Sequence, residues 1–120
     1  MTAGQAVDRA DGLRPNSYAR SLKLGWLQRL DGQIRAELLL PLGLQAADTA
    51  GTEFTDATAL TVPFPYAEEL YTAYLFAQID LNNGEIAKYN QSTALLSAAW
   101  RQYADSLMRQ SSPAPAPFRF

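Results

Sequence analysis

Apolar residues at Ala3, Ala6, Val7, Ala10 and Leu13 recur at helical spacing and predict a first helix over residues 3–13. Pro15 disfavours helical geometry at Arg14 and closes it. Asn16 or Ser17 can cap a second helix, because their side-chain oxygens accept an orphan backbone N–H. Leu22, Trp26, Leu27, Leu30, Ile34 and Leu38 carry that helix in steps of three and four to about Leu40, where Pro41 and Gly43 stop it. Gly25 and Gly32 interrupt it, each costing about 1 kcal/mol relative to alanine. Spaced by seven they share a face, which reads either as a close approach by another helix or a neighbouring subunit, or as a tolerated kink.

Residues 42–65 have no sustained period and contain Gly43, Gly51, Pro63 and Pro65, so they predict a long surface loop with a short extended piece at Leu60–Val62. Its apolar side chains, Phe54, Leu60, Val62 and Phe64, are then candidates for burial on a partner. A strong amphipathic pattern follows Pro65, with Leu70, Tyr71, Tyr74, Leu75 and Ile79 as its stripe and Glu68 and Glu69 at the positive end of the helix dipole. Ile86 and Tyr89 keep that phase, so the helix is expected to pass through Asn82-Asn83-Gly84 and end near Asn90; the competing reading is a turn at Asn-Gly. A last helix is expected from Gln91 or Ser92 to about Met108, burying Leu95, Leu96, Ala99, Trp100, Tyr103 and Leu107. The alternating prolines 113, 115 and 117 cannot continue a helix and predict a flexible tail ending in Phe118-Arg119-Phe120. The expectation is an all-α fold: a small bundle of about four helices over residues 1–110, with a long loop between the second and third and a disordered Pro-Ala tail over 111–120.

Composition narrows the chemistry. With 120 residues, no cysteine and no histidine, disulfides, thiolate nucleophiles, imidazole bases and Cys/His zinc sites are excluded. No apolar run approaches the ~20 residues of a membrane span. The first residues lack the basic start and apolar run of a secretory signal, so the cytoplasm is the expected compartment. The net charge of -2 is unevenly spread: residues 1–40 sum to +2, residues 41–87 hold seven acids and no Lys or Arg, and residues 88–120 sum to +3. There is no chain-wide basic signature of nucleic-acid binding, and the opposite blocks are expected to neutralise each other mainly within one molecule.

Candidate catalytic groups are few. Glu68 with Glu69, and Asp80 with Glu85, are the close acidic pairs outside the loop; adjacent positions diverge on a helix, and the second pair is expected on a solvated face beside Lys88. Asp48, Glu53 and Asp56 fit no calcium-loop spacing. No phosphate loop or nucleophile elbow occurs. The tyrosines, with Trp26 and Trp100, fall at helical spacing without interleaved cations, which argues for packing rather than base stacking. No enzyme, cofactor or metal is expected.

Four stretches carry a family resemblance: Leu13-Arg14-Pro15-Asn16-Ser17-Tyr18, Trp26-Leu27-Gln28-Arg29-Leu30-Asp31-Gly32-Gln33-Ile34, Pro65-Tyr66-Ala67-Glu68-Glu69-Leu70-Tyr71, and Ile79 to Ser92 with its Asn-Gly-Glu-Ile-Ala-Lys-Tyr-Asn core. Over about residues 5–109 the chain resembles small prophage proteins encoded among phage structural genes and described as head-tail connectors, adaptors or neck proteins. It departs from them in its Ala/Thr-rich middle loop and its Pro-Ala tail. The resemblance implies an all-helical virion component, present in the host cytoplasm during assembly, that forms a ring with itself and with portal or neck proteins, without membrane or specific nucleic-acid partners. Candidate interface residues are Gly25, Trp26, Gly32, Phe54, Leu60, Val62, Phe64, Phe118 and Phe120. The alternative is a small helical binding or regulatory module, for which Arg20, Lys23, Arg29 and Arg35 would be the DNA-facing cations.

Overall fold

The computed structural model describes residues 1–44 and 53–111, and four α-helices organise them: α1 Ala3–Leu13, α2 Arg20–Ile34, α3 Ala67–Asn83 and α4 Ile86–Ser111. The expected all-α class holds, with the long connection between the second and third helices. The tail from residue 112, including Phe118 and Phe120, lies outside the described residues. The fold is a slab 20 Å thick, about two helix diameters.

α3 is the hub. Thr2 bridges Ala59 just before α3, and Arg14 reaches Asp80 near its end, so α1 runs alongside α3 in the same direction. α4 returns antiparallel: Ser92 meets Asp80, and the Tyr103 ring lies 5.9 Å from that of Tyr66. α2 is tied to α1 through Lys23 and Asp11 and to α3 through Asp31 and Tyr71. Leu27, Leu30, Ile34, Leu70, Tyr71, Leu75 and Ile79 form the centre of the core.

The first helix matches its expected span and gains a reciprocal cap. Gln5 N–H donates to Thr2 Oγ1 at 3.2 Å, and Thr2 N–H donates to Gln5 Oε1 at 2.9 Å. The second helix starts at Arg20 with no side-chain cap; Asn16 instead bonds Asp11, the Arg14 carbonyl and the Tyr18 N–H, shaping the turn between α1 and α2. Helical backbone continues past Ile34 as a π turn over Arg35–Leu39 and a 3-10 turn over Leu40–Leu42, ended by Gly43 at φ 71°. The chain therefore loosens at 35–39, not at Gly32.

Two expectations about the course of the chain are overturned. The third helix does not pass through Asn82-Asn83-Gly84: Gly84 adopts φ 74°, its N–H and that of Glu85 bond back to Leu81 and Asp80, and α4 begins at Ile86. Glycine enters the left-handed region at little cost, and this local preference outweighs the continuous stripe seen in the sequence. The second correction concerns the loop. Phe54, Leu60 and Val62 are buried in the chain's own core, at 4, 8 and 0% exposure. The strip is laid over the start of α1 by three backbone bonds, Ala3 N–H to Thr58 O, Gly4 N–H to Asp56 O and Leu60 N–H to Met1 O. Gly4 permits this approach, since a Cβ there would lie 2.8 Å from Asp56 Cβ and 2.9 Å from its carbonyl oxygen. Val62 N–H then donates to Tyr71 Oη at 2.9 Å, closing the strip onto α3.

Candidate interaction surface

Two groups of buried polar side chains, around Asp31 and around Asp80, tie the helices together. Tyr71 Oη donates to Asp31 Oδ1 at 2.5 Å, and Thr61 N–H donates to Asp31 Oδ2 at 3.0 Å. Burial pushes the Asp31 carboxyl up, with the Tyr71 and Thr61 bonds and the Arg35 charge opposing it. Tyr71 is raised by burial and by Asp31, and Tyr74 and Tyr103 are raised chiefly by burial. Asp80 is wholly buried, which corrects its placement on a solvated face: it accepts from Arg14 and, at 2.8 Å, from Ser92 Oγ, while the Arg14 guanidinium stacks 4.2 Å over Phe76. Glu85, its supposed partner, instead pairs with Lys88 at 3.3 Å.

Two of the four cations proposed for a DNA face, Arg20 and Lys23, pair with acids of the same chain, while Arg29 is exposed. Arg20 bonds Asp56 at 2.8 Å and Asp8 at 2.9 Å, and both acids push its guanidinium up. Lys23, 3% exposed, bonds Asp11 at 2.8 Å. The acidic middle and the basic N-terminal block thus meet within one molecule, as Arg20–Asp56 and Arg14–Asp80 show. Of the loop acids, Asp56 is committed to Arg20 and Asp48 lies outside the described residues. Among the described residues no three His, Cys, Asp or Glu side chains gather to hold a metal ion, and no helix is long and apolar enough to cross a membrane.

The remaining feature is α4. Its 26 residues span about 39 Å. Ser92, Ala99, Tyr103, Ser106 and Leu107 face α3, the helix against which α4 chiefly packs. Because neither α1 nor α2 closes against it, a groove runs along each flank. The α1 side is a cleft of about 410 Å³ with Leu13, Phe76 and Leu95 on its walls, Arg9 and Glu69 at its edges and the buried Thr72 at its base. Leu13 and Leu95 are 61 and 60% exposed, and Thr72 Oγ1 has no hydrogen-bond partner. On the α2 side a second cleft, about 420 Å³, lies among Leu30, Tyr74, Leu96 and Trp100, with Glu37 and Arg101 at its rim.

The candidate interface residues separate sharply. Trp26, in α2, is 5% exposed and joins Phe54, Leu60 and Val62 inside the core, so none of the four presents its side chain to a partner in the folded chain. Gly25 and Gly32 are exposed, and among the described residues nothing beyond their own helix backbone and chain neighbours comes within 4 Å of where either Cβ would stand. Phe64 projects between Pro63 and Pro65 at 85% exposure. Sequence periodicity missed the grooves because Leu95 shares the apolar stripe with Ala99 yet falls just off the contact with α3. No family model, no characterised protein and no solved structure matches this chain.

Proposed function

We propose that the chain is a non-enzymatic structural subunit, a head-tail connector or adaptor that joins portal or neck proteins in a ring of a tailed phage and resides in the virion after assembly in the host cytoplasm. The observation that carries this reading is α4, a long helix buried along one stripe and bordered by two apolar clefts. A helix that packs on one neighbour while leaving large apolar residues exposed on its flank suits docking between subunits. The four-part sequence resemblance supplies the phage class. The α2-side cleft is the face assigned to the ring contact with portal, which leaves the α1-side cleft for a second copy of the chain.

The test is co-sedimentation with a tailed-phage portal protein from the same genome. The wild-type chain is expected to co-migrate as a ring-sized complex, and Ser97→Arg with Arg101→Glu, both on the exposed α2-side rim, to abolish it. Failure of the wild-type chain to bind portal contradicts the reading. Retention on DNA that weakens with salt and maps to Arg29 would favour the regulatory module instead. The internal pairing of Arg20 and Lys23 argues against that second reading.

A further inference from the structure

Phe64 and the α1-side cleft lie on one face of the molecule. Arg9 borders both: it lines the hollow beside Phe64 and Glu68, and it lines the edge of the cleft holding Leu13, Phe76 and Leu95. Phe64 is the most exposed large apolar side chain among the described residues, and the prolines on either side restrict the backbone that presents it. The cleft, about 410 Å³, has room for a benzyl side chain. Its walls are apolar, and its two edge charges, Arg9 and Glu69, form no ion pair among the described residues.

From this knob and this cleft we infer that the face is a two-fold contact between two copies of the chain, each inserting its Phe64 into the other's α1–α4 cleft. The inference rests on the assembly reading and names the occupant of one groove. Knob and socket on a single face define an isologous contact, which closes as a dimer; on opposite faces they would propagate. Ala67 beside Phe64 and Ala73 in the cleft are six residues apart on α3, about 9 Å along its axis. A two-fold axis lying in the plane of the contact, perpendicular to α3 and midway between knob and cleft, sets the two α3 helices antiparallel and exchanges the aromatic rings. The same rotation brings Glu68, next to the knob, toward Arg9 at the edge of the receiving cleft, so charge complements shape twice per dimer. A contact of this size, centred on one aromatic anchor, is a weak dimer that forms at raised concentration.

Sedimentation velocity of the full chain alone, from low micromolar to near millimolar concentration, tests this. A monomer–dimer equilibrium is expected. Phe64→Ala and Leu95→Glu, both at exposed positions, should each weaken it by roughly tenfold or more while the circular dichroism spectrum is unchanged. Arg9→Glu or Glu68→Arg alone should weaken it, and the double exchange should restore it. A monomer at every concentration overturns the inference, as does a dimer indifferent to Phe64→Ala and Leu95→Glu. Because portal is absent from this measurement, its failure leaves the co-sedimentation result intact, and the reverse also holds.

Discussion

α3 and α4 face each other across the molecule yet are built on different terms. α3 has 17 residues and buries Leu70, Tyr71, Ala73, Tyr74, Leu75, Ala77 and Ile79, distributed around its circumference because α1, α2, α4 and the 54–62 strip all pack on it. α4, with 26 residues, buries a stripe one or two residues wide and leaves Ile86, Leu95 and Met108 at 63, 60 and 55% exposure. A helix enclosed on all sides is fixed by the fold, and a helix held along one line leaves its other faces exposed. The difference separates residues that maintain the structure from those that the proposed assembly would use.

Truncation in the two helices should break this symmetry most visibly. Leu75→Ala, at a wholly buried position of α3, is expected to cost about 2–5 kcal/mol of unfolding free energy. Leu95→Ala in α4 should change monomer stability by about 0.5 kcal/mol or less. Chemical denaturation checks both, and equal costs would dissolve the distinction between the helices.

Tyr71→Phe sharpens the role of α3 as a polar as well as an apolar hub. It removes the hydroxyl that accepts from Val62 N–H and donates to Asp31, leaving both without their partner. A loss of about 2–3 kcal/mol is expected, together with faster amide exchange at Val62 as the strip loosens from α3. Loss of stability without faster exchange at Val62 would separate the strip from this bond.

The smallest effect is a pH dependence. Burial raises the folded-state carboxyl of Asp31 above its ordinary value of 3.8, so the folded protein holds this proton to higher pH than the unfolded chain. Its contribution is fully present below about pH 3.8 and is lost as pH rises through the folded-state value. The stability of the wild type minus that of Asp31→Asn should therefore fall as pH rises from that point, other carboxylates cancelling in the difference. A difference that is flat or grows with pH would contradict the assignment.

How much of this was legible follows from the range of the interactions involved. α1 is bounded by its own apolar spacing and Pro15, and its Thr2-x-x-Gln5 cap is a local pattern that the apolar spacing alone does not register. The α3–α4 break was present as Asn83-Gly84, but the stripe kept its phase through Ile86, which turned out to be 63% exposed. Asp80 looked solvated because its partner Arg14 lies 66 residues away. Phe54, Leu60 and Val62 looked unpartnered for a related reason: their burial depends on Gly4, whose missing Cβ admits the Asp56 backbone. Of the interface candidates in the loop, the sequence offered Phe64 on the same footing as Phe54, Leu60 and Val62, and only the structure separates it as exposed; the clefts of α4 arise only once three helices are placed side by side.

The chain contains no cysteine, so single thiols can report the account directly. The most direct measurement is the labelling rate of Leu75→Cys and Leu95→Cys by a thiol-reactive dye, in dilute and concentrated solution. Leu95→Cys is expected to react rapidly when dilute and to slow at high concentration as a second copy covers the cleft, with Leu75→Cys unreactive in both. Slow labelling of Leu95→Cys in dilute solution, or a rate independent of concentration, would contradict α4 as an uncovered assembly surface.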